Sequence, residues 1–141
     1  MNKRRLFIAI NLPENVKRRL VDWQKNISIR LRQDSGEINW VRKNNLHITL
    51  VFIGYVSDDE TYEICNVIKD VAKRHNSFYI NLERIITGPP HATPRMFWVE
   101  GEKSQELANL QGDLENVLLG ENLAKKELRA YRPHATLARF K

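Results

Sequence analysis

The chain has 141 residues, 42% apolar and 28% charged, which allows one domain (residues 1–141) with a buried core and excludes a disordered chain. Its one cysteine, Cys65, excludes an internal disulfide framework, and the apolar run Leu6 to Ile10 is too short for a signal peptide. With no stretch near the roughly 20 apolar residues of a membrane span, a cytoplasmic protein without a membrane partner is expected. A net charge of +6 suits a phosphate-bearing partner and plain solubility equally, so charge alone leaves the partner open.

In chain order, Arg5–Leu12 reads as a strand closed by Pro13, a residue suited to a helix's first turn. Val16, Leu20, Trp23 and Ile27 then share one face of a helix. Ile38–Val41 is a short strand, and Leu46–Ile53 a longer one ending at Gly54. Ser57-Asp58-Asp59-Glu60 is a capping-box pattern opening a helix that buries Ile64, Ile68 and Val71. Phe78–Ile86 and Arg95–Gly101 read as strands around the loop TGPPHATP. A third helix buries Leu107, Leu110, Leu114 and Val117, and Tyr131–Phe140 is the last strand. The order is that of an α+β fold with a crude internal duplication.

The duplication carries a repeated tetrapeptide, His47-Ile48-Thr49-Leu50 and His134-Ala135-Thr136-Leu137. Random placement of four His and five Thr in this chain predicts only about 0.14 His-x-Thr pairs. Alternation along a strand sets His47 and Thr49 on one face, with Leu46, Ile48, Leu50 and Phe52 on the other. His134 and Thr136 likewise oppose Ala135 and Leu137. A lone histidine reads as a satisfied structural residue; two matching pairs on duplicated strands favour chemistry. If the halves are related by a pseudo-twofold, both pairs face one groove. Two imidazoles can divide proton transfer between acid and base, and two hydroxyls can donate to the oxygens of a phosphodiester. No carboxylate stands beside either pair and no third ligand follows at a recognisable spacing, so no metal is expected.

With these residues in place, the chain resembles the two-histidine (2H) phosphoesterases, specifically the LigT-like RNA 2',3'-cyclic phosphodiesterases, also called 2'-5' RNA ligases. RLFIAINLPENVK, NLHITLVFIG, RMFWVEGE and RPHATLAR follow the family's order, so the resemblance covers nearly the whole chain. It implies a bilobal α+β fold, with antiparallel sheets and flanking helices about a pseudo-twofold axis and a central groove. It implies that an RNA 2',3'-cyclic phosphate is opened to a 2'-phosphate end without metal or other cofactor. By the same resemblance His47 is the general acid, His134 the general base, and Thr49 and Thr136 the phosphate-holding hydroxyls. Arg139 occupies the family's arginine position, although simple alternation sets it on the face opposite His134.

His91-Ala92-Thr93 is a third match, but it lies between Pro90 and Pro94 and reads as a loop. Family members usually continue for tens of residues past the second motif, whereas this sequence stops at Lys141. A missing final piece would leave the strand of His134 as an exposed edge. Arg42, Lys43, Arg95 and Arg132 are candidate contacts to an RNA backbone, and no obligate protein partner is implied. ATP-driven ligation is not expected, because Gly101-Glu102-Lys103-Ser104 lacks the adjacent Gly-Lys and the upstream glycine of a P-loop. Ligation of 2'-5' ends as the reverse of hydrolysis is compatible with the site. The competing reading is a nucleotide- or RNA-binding module that uses the same groove without turnover.

Overall fold

The computed structural model describes residues 2–31 and 37–141. Its elements in chain order are β1 (Arg4–Asn11), α1 (Glu14–Arg30), β2 (Ile38–Trp40), β3 (His47–Val56), α2 (Asp58–Ala72), β4 (Leu82–Gly88), β5 (Met96–Gly101), α3 (Gln105–Gly120) and β6 (His134–Phe140). The α+β class expected from the sequence is observed.

Local chemistry starts the helices. At α2 the Glu60 N–H donates to Ser57 Oγ at 3.2 Å and the Ser57 N–H donates back to Glu60 Oε1 at 2.9 Å, completing the capping box. The bond from the Ser57 backbone holds the Glu60 carboxyl below its ordinary range. Ser104 caps α3, accepting from the Leu107 N–H at 3.1 Å. Inward faces differ from the apolar pattern. Of the expected Val16, Leu20, Trp23 and Ile27 face, α1 buries Leu20, half-buries Val16 and Ile27 and leaves Trp23 half exposed, while Lys17 and Gln24 turn inward. The reason is polar: the Gln24 amide donates to the carbonyls of Val41 and Leu137, both at 2.9 Å. Those two backbone acceptors account for the inward turn of Gln24. The buried residues of α2 are Ile64, Val67 and Val71, and those of α3 are Leu107, Leu114 and Leu118.

The chain divides into two compact units. The first consists of the described residues up to Ala9, with Thr49–Asn81 and Glu102–Arg132; the second consists of Ile10–Ile48, Leu82–Gly101 and Pro133–Lys141. In the first unit, Leu50, Val51 and Val56 of β3 are buried together with the inward residues of α2 and α3. Gln111 of α3 donates to the Leu50 carbonyl, and Asp113 accepts from Arg74 and His75 just beyond α2. In the second unit the core includes Leu20, Leu46, Ile48, Trp98, Val99, Ala135, Leu137 and Ala138.

Hydrogen bonding runs through the strands in the order β1-β3-β6-β5-β4, with β2 also on β6. The ladders of β2, β3 and β5 on β6, and of β4 on β5, are antiparallel. Strand β6 is therefore not an edge of the sheet. It has β5 along one side, with β3 and then β2 along the other.

Candidate active site

Each tetrapeptide opens its strand: β3 begins at His47 and β6 at His134. The two strands are antiparallel neighbours, with Ile48 paired to Ala135 and both residues 0% exposed. Carrying that register one step sets His47 opposite Thr136. The first seven residues of both strands follow the same burial order, in which two successive buried residues break the alternation. Leu50 and Val51 are both buried in β3, as Leu137 and Ala138 are in β6, and the next residue, Phe52 or Arg139, is exposed. Phe52, expected among the core residues, is thus 67% exposed.

His47 follows a 3-10 turn at Lys43–Asn45. Its Nδ1 lies 2.6 Å from the Asn45 carbonyl oxygen, an acceptor only, so Nδ1 carries the proton and donates. Proton exchange with a ligand then falls to Nε2. His134 is held differently. Its imidazole stacks on the Trp98 indole, with centroids 3.7 Å apart and planes 19° apart. The indole in turn lies over Gly88, where an added Cβ would come within 2.5 Å of it. Across the β5–β6 ladder His134 pairs with Glu100, a buried carboxylate that accepts from Arg84 Nε at 2.9 Å.

The ladder also corrects the placement of Arg139. Trp98 pairs with Thr136 but Phe97 pairs with Ala138, so Leu137 is an extra residue in β6. Such a bulge shifts the side-chain phase by one. Met96, Trp98 and Glu100 alternate onto one face of β5, and their partners are Arg139, Thr136 and His134. Arg139 therefore shares the face of His134 and Thr136, which straight alternation denied. Thr49, next but one to His47, lies on the His47 face of β3. Its carbonyl accepts from the Tyr131 hydroxyl at 2.8 Å, and burial pushes the Tyr131 pKa up to about 12.

His91 lies in the β4–β5 connection with φ 63° and is exposed, so it shares no strand face with Thr93. Arg42 and Arg95 are exposed, Arg132 is half-buried and Lys43 pairs with Glu14. A cleft of about 810 Å³ in the first unit, lined by Arg74, His75, Tyr79 and Lys103 among others, includes none of the tetrapeptide residues. No three His, Cys, Asp or Glu side chains cluster as a metal site among the described residues. Sequence reasoning missed Asn45, Trp98, Glu100, Arg84, Gly88 and Tyr131 as neighbours of the site. Period-two spacing in RMFWVEG does put Trp98 and Glu100 on one face, but only the ladder says which face that is.

A family model described as LigT like Phosphoesterase matches residues 10–98, which include His47 and Thr49. The chain is 32% identical over 137 residues to an RNA 2',3'-cyclic phosphodiesterase of Methanocaldococcus jannaschii, covering 97% of this chain and 72% of that protein. It is 27% identical over 133 residues to one of Bacillus subtilis, covering 94% and 69%. Among solved structures, TT0787 of Thermus thermophilus matches with a TM-score of 0.81 and 27% identity, covering 97% of this chain and 74% of that one. E. coli LigT complexed with 3'-AMP matches in fold with a TM-score of 0.75 and 21% identity, covering 98% and 74%.

Proposed function

The chain belongs to the LigT-like phosphoesterase family, and from that premise we propose that it hydrolyses 2',3'-cyclic phosphates at RNA ends to 2'-phosphate ends. In this proposal His134 takes a proton from water as the water oxygen bonds to phosphorus. The bond from phosphorus to the ribose 3' oxygen breaks, and His47 Nε2 gives that oxygen its proton. The product carries a 2'-phosphate and a 3'-hydroxyl, and one proton has passed from His47 to the product and one from water to His134. Thr49 and Thr136 donate to the non-bridging oxygens, where charge grows in the transition state. Arg139 adds a cation on the face of His134. Residues 1–141 serve as one phosphoesterase domain, acting in the cytoplasm on RNA ends and needing no metal or protein partner. Reversal of the same chemistry allows 2'-5' joining as a side activity.

The observation that carries this proposal is the pairing of Ile48 with Ala135, which makes the two His-x-Thr strands antiparallel neighbours. Product analysis on a defined RNA with a 2',3'-cyclic phosphate end tests it. Parent protein should yield the 2'-phosphate, and its activity should survive excess EDTA. His47→Ala and His134→Ala should each lose about 10²–10⁴-fold in turnover. The double variant should lose far less than the product of the two, because neither residue completes the reaction alone. A bell-shaped dependence of kcat/KM on pH is expected from the coupled pair. Near-parental turnover in either single variant would sink the two-histidine scheme. Binding without turnover by the parent would leave a non-catalytic RNA-binding module.

A further inference from the structure

His134 rests on a structured floor that the proton-transfer scheme does not by itself require. Its imidazole stacks on Trp98 at 3.7 Å, and Trp98 is itself buried over Gly88. Directly across the ladder stands Glu100, on the same face of the sheet. Directly opposed side chains in an antiparallel pair have Cβ atoms about 4.5–5.5 Å apart, within reach of a glutamate and an imidazole. The Glu100 carboxylate is buried, and Arg84, its ladder partner on β4, holds it at 2.9 Å with a mostly exposed side chain. A buried carboxylate with a fixed ion pair on one side and an imidazole on the other has a defined orientation.

We propose that Glu100, oriented by Arg84, is a positioning residue for His134: it fixes the ring over Trp98 and raises the basicity of the imidazole. A carboxylate beside an imidazole favours the protonated ring, and Arg84 tempers that effect with its own charge. Among the other charged or titratable groups, Arg139 shares the His134 face of β6, His47 lies on the neighbouring strand β3, and Tyr131 and Arg132 immediately precede His134 in the chain, while β2 brings no charged side chain. Arg139 stays cationic throughout the neutral range. The kinetic part of this inference rests on the proposed hydrolysis; the titration of His134 does not.

The test is the titration of the four histidines by NMR in the parent, Glu100→Gln and Arg84→Met proteins, with His134 assigned by its loss in His134→Gln. Glu100→Gln keeps shape and removes the charge, so the His134 pKa should fall, by about half a unit to one unit. Arg84→Met leaves the carboxylate less balanced, so the same pKa should rise. The kcat/KM limb that belongs to the base should move with each variant in the same sense, and Glu100→Gln should lower kcat about tenfold with KM within about twofold. A merely structural glutamate does not produce shifts of opposite sign. An unmoved His134, or two shifts in one direction, would overturn the proposal. If Glu100→Gln fails to fold, the exposed Arg84→Met decides alone, by a rise or by none. If the parent opens no cyclic phosphate, the proposed function fails while the titration still decides the role of Glu100.

Discussion

Tyr131 acts on the candidate site through one hydroxyl. It donates to the carbonyl of Thr49, so the strand segment that carries this threonine, proposed above to hold phosphate, is tied down from the stretch just before His134. Burial keeps that hydroxyl neutral, with its pKa pushed up to about 12, whereas in the unfolded chain it ionises near about 10. The unfolded chain thus loses the proton first. The stability from this group is complete below about pH 10 and declines as pH rises towards 12. Tyr131→Phe should cost about 1 kcal/mol at neutral pH and remove that part of the alkaline decline. Urea unfolding of parent and variant at pH 8 and pH 11 measures both, and an unchanged gap between the two proteins would argue against the buried hydroxyl. The tyrosine was legible only as the start of a strand. Nothing in YRPHATL states that its side chain reaches a residue 82 positions away.

At the scale of elements, β4, β5 and β6 hold the site in layers. Gly88 of β4 makes room for the Trp98 indole of β5, and the indole supports the His134 ring of β6. Gly88→Ala sets a Cβ within 2.5 Å of the ring, a contact that must be relieved by moving the indole. We expect a cost of about 1–3 kcal/mol and a fall in turnover larger than that of an equally destabilising change elsewhere. Ser57→Ala is the matched comparison: it removes the α2 capping box at about 1 kcal/mol and should leave kcat unchanged. Thermal unfolding and steady-state kinetics on both variants check the pair. Equal kinetic effects would mean that the layer under His134 has no special role. The bulge at Leu137 belongs to this scale as well. Alternation was a sound rule for His134 to Leu137 and misled for Arg139, because one inserted residue reverses the faces beyond it.

For the whole molecule, the net charge of +6 and the exposed Arg42, Arg95 and Arg139 predict that a short RNA is held partly by its phosphates. Affinity should fall with salt along a log–log slope reflecting a few contacts, roughly 0.7 per phosphate on a single strand. Titrations at several salt concentrations measure it, and a salt-independent affinity would favour a ligand the size of one nucleotide. No helix among the described residues is long and apolar enough to cross a membrane. By itself the sequence determined the α+β class, the α2 capping box and the two His-x-Thr pairs, because these depend on residue type and on spacings within one element. The same local order carried the family resemblance. Only the tertiary structure decided that β6 has neighbours on both sides, that Arg139 shares the face of His134, that Trp98 stacks on that histidine and that Glu100 stands opposite it across the ladder. It also decided that Gln24 rather than Trp23 turns inward. Each of these depends on register or on a backbone acceptor contributed by a distant strand, and alternation within one strand carries no information about either.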